Sequence, residues 1–344
     1  MESKIRLGIA GLGRSGWDIH VKALMEMPEQ YQIVAVADAA GDRREEAKGK
    51  LLCRAYERFE DLFGDKDVEL LIVATPSHLH SSMAIGGLRA GKDVVVEKPM
   101  ALDVGAADEM IAATQGSGRV LTVFQNYRYA PDYRKVKEVV DSGILGRIVQ
   151  IRITRNSFGR RWDWQTLKEF GGGMLNNVGT HIVDLGLQFL GEGDAQDVFA
   201  DIRVALASGD AEDHVKVVLK GKGGPTIDVE MSSVCAYAQD AWGVMGTCGG
   251  LRGTSKELQW KWVDFSKMPA RPVDRTPTAN RSYNKEEYLW QEDSWRAPAG
   301  GSTTCDFYRD LYQSLRRGAA LVVTPQSVRR QLALLERVRQ LCSV

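Results

Sequence analysis

An amine and an imidazole, far apart along the chain, are the side chains best suited to moving the proton of an alcohol. Lys98 leaves an apolar run in VVVEKPMAL, beside Glu97 and before Pro99, which restricts its backbone. His181 lies in GGGMLNNVGTHIVDLGLQFL, one helical turn after Asn177. Removing hydride from a secondary alcohol requires removal of its hydroxyl proton in concert, which calls for a group that titrates near working pH. Of the five histidines, His20 falls in the first helix and His214 in a strand, leaving His78, His80 and His181. His80 suits a structural or cofactor-side place in ATPSHLH. His181 is therefore read as the general base, with Lys98 donating to the substrate oxygen. The reverse, Lys98 as a base whose pKa burial lowers, stays open. A plain ion pair between Glu97 and Lys98 is the structural alternative.

The hydride needs an acceptor, and GLGRSG is suited to hold one. Gly11, Leu12, Gly13, Arg14, Ser15 and Gly16 leave a strand and open a helix, with Asp38 at the end of the next strand. Gly11 permits a tight turn, Gly13 lets the backbone approach a pyrophosphate, and Gly16 lets helix and strand pack closely. The helix N-terminus adds free N–H groups and positive dipole. Asp38 is placed to accept from the adenosine ribose hydroxyls, which favours NAD; Arg43 and Arg44 follow closely and keep NADP possible. Thr75, Pro76 and His80 in ATPSHLH, Glu97 and Lys98 in EKP, and Asn126 fall at strand ends on the same edge, where ligands gather in open α/β folds.

These groups need a frame. Runs 4–10, 32–38, 68–75, 92–98 and 119–125 are rich in Val, Ile and Leu, as strands covered on both faces are. Segments 14–27, 42–52, 78–90 and 103–115 between them have helical spacing. The alternation predicts right-handed βαβ units and a doubly wound parallel sheet, a Rossmann domain over 1–125. In 126–344, RIVQIRIT alternates apolar and polar residues, and 196–206, 213–220, 226–235 and 242–248 are further strands of one antiparallel sheet. QWKWVDF (259–265) and the polar span 267–300 read as an irregular excursion.

The GGG helix presents two faces. Leu175, Val178, Ile182, Leu185 and Phe189 form one buried stripe, while Asn177, His181, Asp184 and Gln188 lie opposite. That polar face is either solvated or turned to substrate. Gly171, Gly172 and Gly173 favour the second, since bare backbone admits substrate or nicotinamide. Asp184 either orients the imidazole or is ordinary helix-face charge. Just before this helix, RNSFGRRWDWQTLKEF offers Trp162 and Trp164 to stack on a sugar ring, with Arg155, Arg160 or Arg161 to bind hydroxyls or a carboxylate. An oligomer-interface loop is the alternative.

The bulk numbers agree with this frame. A chain of 344 residues exceeds what one hydrophobic core usually holds, so two domains are expected. A formal net charge of +0 speaks against a nucleic-acid or membrane-surface partner. No uncharged apolar run is long enough for a membrane span or a signal peptide, and a cytoplasmic protein is expected. The five cysteines lack disulfide or zinc spacing, so free thiols and no metal are expected.

GLGRSG, ATPSHLH and above all EKPMAL resemble the glucose–fructose oxidoreductase / inositol dehydrogenase / MocA family. GGGMLNNVGTHIVD is similar to that family's second motif, and DLYQSLRRG with VTPQSV to its C-terminal region, so the resemblance covers nearly the whole chain. It implies a C-terminal α/β domain with a large, mostly antiparallel open sheet, a bound nicotinamide dinucleotide, and sugar or polyol substrates. It also implies homodimers or homotetramers built through that sheet. By the same resemblance Lys98 lies at the reaction centre, His181 is a substrate contact or acid/base, and Arg128 in NYRY lies near the domain junction, where it and Asp184 are expected among the substrate-binding residues. Many members carry aspartate where this chain has Asn177; an amide takes no proton, so Asn177 is a substrate contact and not a base. The expected function is NAD(P)-dependent oxidation of a secondary ring hydroxyl of a sugar, glycoside or cyclitol to a keto-sugar. A redox-neutral lyase or glycosidase working through a transient keto-sugar, and a non-catalytic dinucleotide-sensing regulator, are the alternatives.

Overall fold

The computed structural model describes residues 3–191, 193–276, 281 and 283–342. The first apolar runs form six parallel strands: β1 (Ile5–Ala10), β2 (Tyr31–Ala37), β3 (Arg54–Tyr56), β4 (Leu70–Val73), β5 (Asp93–Val96) and β6 (Leu121–Val123). Their spatial order is β3-β2-β1-β4-β5-β6, a doubly wound sheet whose direction of winding reverses between β1 and β4. Every residue of β4 is buried, because helices cover both faces, and this is why the strand reads as an unbroken apolar run. The helices are α1 (Lys22–Met25), which continues a π-helical turn over Ser15–Val21, α2 (Gly41–Leu51), α3 (Asp61–Gly64), α4 (His80–Arg89) and α5 (Val104–Ser117). Since β4 pairs with both β1 and β5, the glycine loop, Thr75-Pro76 and Glu97-Lys98 leave three neighbouring strands at one edge.

After α6 (Pro131–Asp141) the chain builds a second sheet from β7 (Ile148–Asn156), β8 (Asp197–Arg203), β9 (His214–Lys220), β10 (Thr226–Ser232), β11 (Trp242–Gly246), β12 (Gly249–Gly253), β13 (Glu257–Val263) and β14 (Trp290–Arg296). The order is β14-β13-β12-β11-β7-β10-β9-β8, antiparallel except for the β7–β10 pair. One face buries Ile151, Ile153, Val217, Val229 and Trp242 against α7 (Thr180–Phe189) and the segments around it. The opposite face carries Phe199, Arg152 and Met245, all exposed.

Two strands fall where an irregular excursion was expected. In β13, Leu258 and Trp260 are buried while Glu257, Gln259 and Lys261 are exposed, so the alternation was present within an aromatic-rich stretch. In β14 all residues but Trp295 are exposed; an edge strand wet on both faces leaves no period in its sequence.

The first sheet ends at Val123 and the second begins at Ile148, but the packing crosses between them. α8 (Thr303–Arg317) and the first half of α9 (Pro325–Leu341) return to the first sheet. Cys305, Phe307, Tyr308, Leu311 and Tyr312 join the core formed by β1, β2 and β6. The five cysteines are unpaired, and Cys305 is the fully buried one. No helix among the described residues is long and apolar enough to cross a membrane.

Candidate active site

The glycine loop carries a cradle that the protein itself does not fill. A Cβ on Gly11 would press on the Ala74 carbonyl, and one on Gly16 would overlap the Gly11 carbonyl, so both are required by internal packing. Gly11 also adopts φ +92°. A Cβ on Gly13 would meet no protein atom within 4 Å; its open side suits a pyrophosphate. Asp38 is buried, and its two carboxylate oxygens accept from Leu12 N–H at 2.7 Å and Ala40 N–H at 2.9 Å. It therefore ties the loop to β2. Arg43 lies 3.5 Å from the same carboxylate, and Arg44 donates to the Asp38 and Ala39 carbonyls. Arg14 is exposed and Ser15 half-buried on the loop.

Thr75 and His80 stand beside this cradle. The Thr75 hydroxyl is buried without a protein partner, as expected of a group that meets a ligand. His80 is buried between two carbonyls, with Nδ1 2.7 Å from Pro99 O and Nε2 3.0 Å from Thr75 O. Burial pushes its pKa down, so the neutral ring donates to one carbonyl at a time. It clasps the Thr-Pro loop to the EKP loop. Asn126, expected on the cofactor side, donates to the Thr303 hydroxyl at 3.2 Å and so links the end of β6 to the start of α8.

The EKP carboxylate and amine have separate environments. Glu97 is buried, accepting from the backbone N–H of Lys98 at 3.0 Å and meeting His20 Nε2 at 3.1 Å. Burial pushes the Glu97 carboxyl up, but its bond with His20 and the charges of His20 and Lys98 outweigh that and hold it low. Burial pushes the Lys98 ammonium below the ordinary lysine range; Glu97 resists this and Arg14 adds to it. His20, assigned from sequence only to the first helix, is thus a fully buried partner of the motif. Its one sequence signal is a polar residue inside an apolar helix just after the glycine loop.

His181 comes from the second sheet's side of the junction and meets the same charges. It is 8% exposed and stacks on Tyr127 with ring centroids 4.1 Å apart. Burial, then repulsion from Lys98, lowers its pKa from 6.5 to about 3, with Glu97 opposing. Its Nδ1 is buried with no protein partner. The helix carrying it opens as a π-helix over Leu175–Gly179, a widened turn often found at functional sites. Gln125 donates to the carbonyl of Thr180, next to His181, at 3.2 Å.

The contacts of this helix decide among the readings its sequence leaves open. Its polar face is not solvated: Asp184 is buried like His181. Asp184 does not orient the imidazole; its oxygens take Arg128 Nη2 at 2.6 Å and Nε at 2.7 Å. Arg128 in turn gives Nη1 to Val322 O and Ser327 Oγ, so its guanidinium is occupied within the protein rather than held out to substrate. Gly172 and Gly173 serve the protein's own packing, whereas a Cβ on Gly171 would meet nothing within 4 Å. A Cβ on Gly172 would overlap the Gln165 and Leu167 carbonyls, and one on Gly173 the Glu212 carboxylate. Because removing one partner strands a buried charge, Asp184→Asn is expected to cost about 3 kcal/mol of stability. Urea unfolding of the full chain measures this, and a change below about 1 kcal/mol would show that the pair is dispensable.

The arginine- and tryptophan-rich loop lies against this helix. Asn177 donates to Gln165 Oε1 at 3.4 Å, and Arg161 donates to the same oxygen at 2.6 Å. Trp162 and Trp164 are 77% and 60% exposed, free to stack on a ring. Arg155 points into the protein, over the Trp242 ring and 3.5 Å from Asp132.

Comparison with known proteins identifies the family of the chain. Residues 5–125 match the Gfo/Idh/MocA oxidoreductase family, described as an NAD-binding Rossmann fold, and residues 133–252 match its C-terminal domain. The scyllo-inositol 2-dehydrogenase (NADP(+)) IolW of Bacillus subtilis is 26% identical over 337 residues, 94% of this chain and 89% of that one. The myo-inositol 2-dehydrogenase of Thermotoga maritima is 31% identical over 243 residues, 69% of this chain and 71% of its own. An uncharacterized oxidoreductase of Schizosaccharomyces pombe, 26% identical, is spanned over 59% of its length by 62% of this chain. The fold matches the WlbA dehydrogenase of Bordetella pertussis, solved with NADH and UDP-GlcNAcA, at TM-score 0.76 and 22% identity, over 99% of this chain and 97% of that one. In both halves, then, the chain belongs to the Gfo/Idh/MocA oxidoreductases, enzymes that work with a nicotinamide dinucleotide.

Proposed function

We propose that the protein oxidises a secondary ring hydroxyl of a sugar, glycoside or cyclitol to the ketone. The observation that carries this reading is that Lys98, just after β5, lies near enough to His181 in α7 for its charge to act on the buried imidazole. A bound nicotinamide supplies the acceptor for the hydride. The names of the inositol dehydrogenase relatives, and the nucleotide-sugar acid in the Bordetella structure, support a cyclic polyol as substrate.

The electrostatics favour Lys98 as the base, the reverse of the first assignment. A base works best when its conjugate acid titrates near working pH. His181, at about 3, is a weak base but is always neutral at pH 7, so its free Nδ1 can hydrogen-bond the reacting hydroxyl. Burial pushes the Lys98 ammonium below the ordinary lysine value of 10.5. In its amine form Lys98 takes the hydroxyl proton and becomes ammonium as the carbon loses hydride. Asn177 holds a neighbouring hydroxyl, and Trp162 and Trp164 cover the ring.

The test is formation of reduced dinucleotide across a panel of cyclitols and sugars, with the best substrate then followed against pH. We expect kcat/KM to rise with pH along a single limb below the ordinary lysine value of 10.5, with no inflection near the ordinary histidine value of 6.5. A flat profile down to acid pH would return the role of base to His181. Product formed without reduced dinucleotide would point to the redox-neutral lyase. Asp38 supports NAD over NADP, and Arg43 beside it narrows the margin.

The helix-free face of the large sheet supports a homo-oligomer. Phe199 and Met245 are each 60% exposed there. A second copy covering this face gives a light-scattering mass of at least a dimer, and Met245→Lys is expected to lower it.

A further inference from the structure

We infer that His20 is a positioning residue for Lys98, acting through Glu97, and that Tyr308 holds the ring in the orientation in which it does so. The inference rests on Lys98 being at the reaction centre, as proposed above.

The contacts form one buried chain. His20 is 0% exposed, with Nε2 3.1 Å from Glu97 Oε1 and Nδ1 2.6 Å from the Tyr308 hydroxyl. The second Glu97 oxygen accepts the backbone N–H of Lys98 at 3.0 Å. An ionised carboxylate only accepts, so Nε2 carries the proton. On the other side of the ring, Nδ1 is held by the Tyr308 hydroxyl, so the imidazole is fixed at both nitrogens. Tyr308 is itself anchored: its carbonyl takes the Tyr31 hydroxyl at 2.6 Å, and its ring packs against Phe307 and Tyr31. A helix from the far end of the chain thereby sets the backbone and counter-charge of the EKP lysine.

The consequence is electrostatic as well as steric. Without a donor at Oε1, a buried carboxylate is short of a partner and takes up a proton more readily. Lys98 then loses its counter-charge. The titratable groups facing Lys98 are Glu97, Arg14 and His181, and those facing Glu97 are His20, His80, His181, Tyr308 and Lys98. Of these, His20 hydrogen-bonds the Glu97 carboxylate with its side chain, and Tyr308 hydrogen-bonds His20.

The experiment follows Lys98 directly. The full chain, without added dinucleotide, is reductively methylated with carbon-13 formaldehyde, and the Lys98 signal is identified by its loss in Lys98→Arg. We expect its titration midpoint to fall by about 1 unit in Tyr308→Phe and by more in His20→Leu. His20→Gln, which keeps an amide N–H towards Glu97, is expected to stay nearer the parent. The pH–rate limb moves in the same direction, with kcat lowered roughly tenfold in Tyr308→Phe and the KM for dinucleotide held within about twofold. An unmoved Lys98 midpoint and limb, with only a lower melting temperature, would make His20 a structural residue and overturn the inference. Should His20→Leu fail to fold, Tyr308→Phe decides, since it keeps the packed ring. The lysine titration needs no turnover, so absence of polyol oxidation in the parent would sink the proposed function and leave this result standing.

Discussion

Lys98→Met is expected to lower kcat/KM for polyol oxidation by roughly 10³- to 10⁴-fold while dinucleotide affinity changes by less than about threefold. Methionine keeps the length and apolar stem of lysine and removes the amine, so the cleft keeps its shape. Two effects are lost together: the acceptor for the hydroxyl proton, and the positive charge that faces the developing alkoxide. The glycine cradle and Asp38 are untouched, and for that reason binding of reduced dinucleotide, read by its fluorescence, is the internal control. The remaining cost is the buried Glu97, which keeps its His20 partner at 3.1 Å. A variant that turns over polyol within about tenfold of the parent would remove Lys98 from the chemistry and with it the proposed role.

His181→Gln is the second large effect, and it is read in stability as well as rate. The imidazole titrates at about 3 in the folded chain against 6.5 when unperturbed. Between these values the unfolded chain binds a proton that the folded chain refuses. Stability from this site is complete above pH 6.5 and is lost as pH falls towards 3, at about 1.4 kcal/mol per pH unit. Glutamine has no such titration. Urea unfolding of parent and variant at several pH values should therefore give a stability difference that narrows, or reverses in the variant's favour, as pH falls. Parallel curves would mean that His181 is not held neutral. At neutral pH the same substitution is expected to lower kcat roughly 100-fold, because the amide lacks the imidazole's geometry at the reacting oxygen.

The first half of the chain was legible because its strands are covered on both faces, so Leu70–Val73 and Val94–Val96 could be only apolar. The glycine spacing was legible for a related reason: at Gly11 and Gly16 no side chain fits. The GGG run was harder. The same residue type serves approach by a ligand and approach by backbone, and only the course of the Gln165–Leu167 segment decides between them. Asp184 and Arg128 are separated by much of the second half's first helix and strand, and nothing in either motif announces a pair at 2.6 Å. His20 was hidden in the same way, since its partners Glu97 and Tyr308 come from a strand end and from the returning helix α8. Local patterns show which residues need special surroundings; the surroundings themselves come from contacts distant in sequence.

The return of α8 to the first sheet bears on how the molecule is made. Phe124, Tyr31 and His20 find their covering rings on Phe307 and Tyr308, in a helix translated long after β6. During synthesis the nucleotide-binding half therefore emerges with an unsealed aromatic flank, which stays open while the ribosome reads through the whole second sheet. A fragment ending at residue 125 would keep that flank exposed and tend to self-associate, whereas splicing the α8 segment back onto it should restore a monomer.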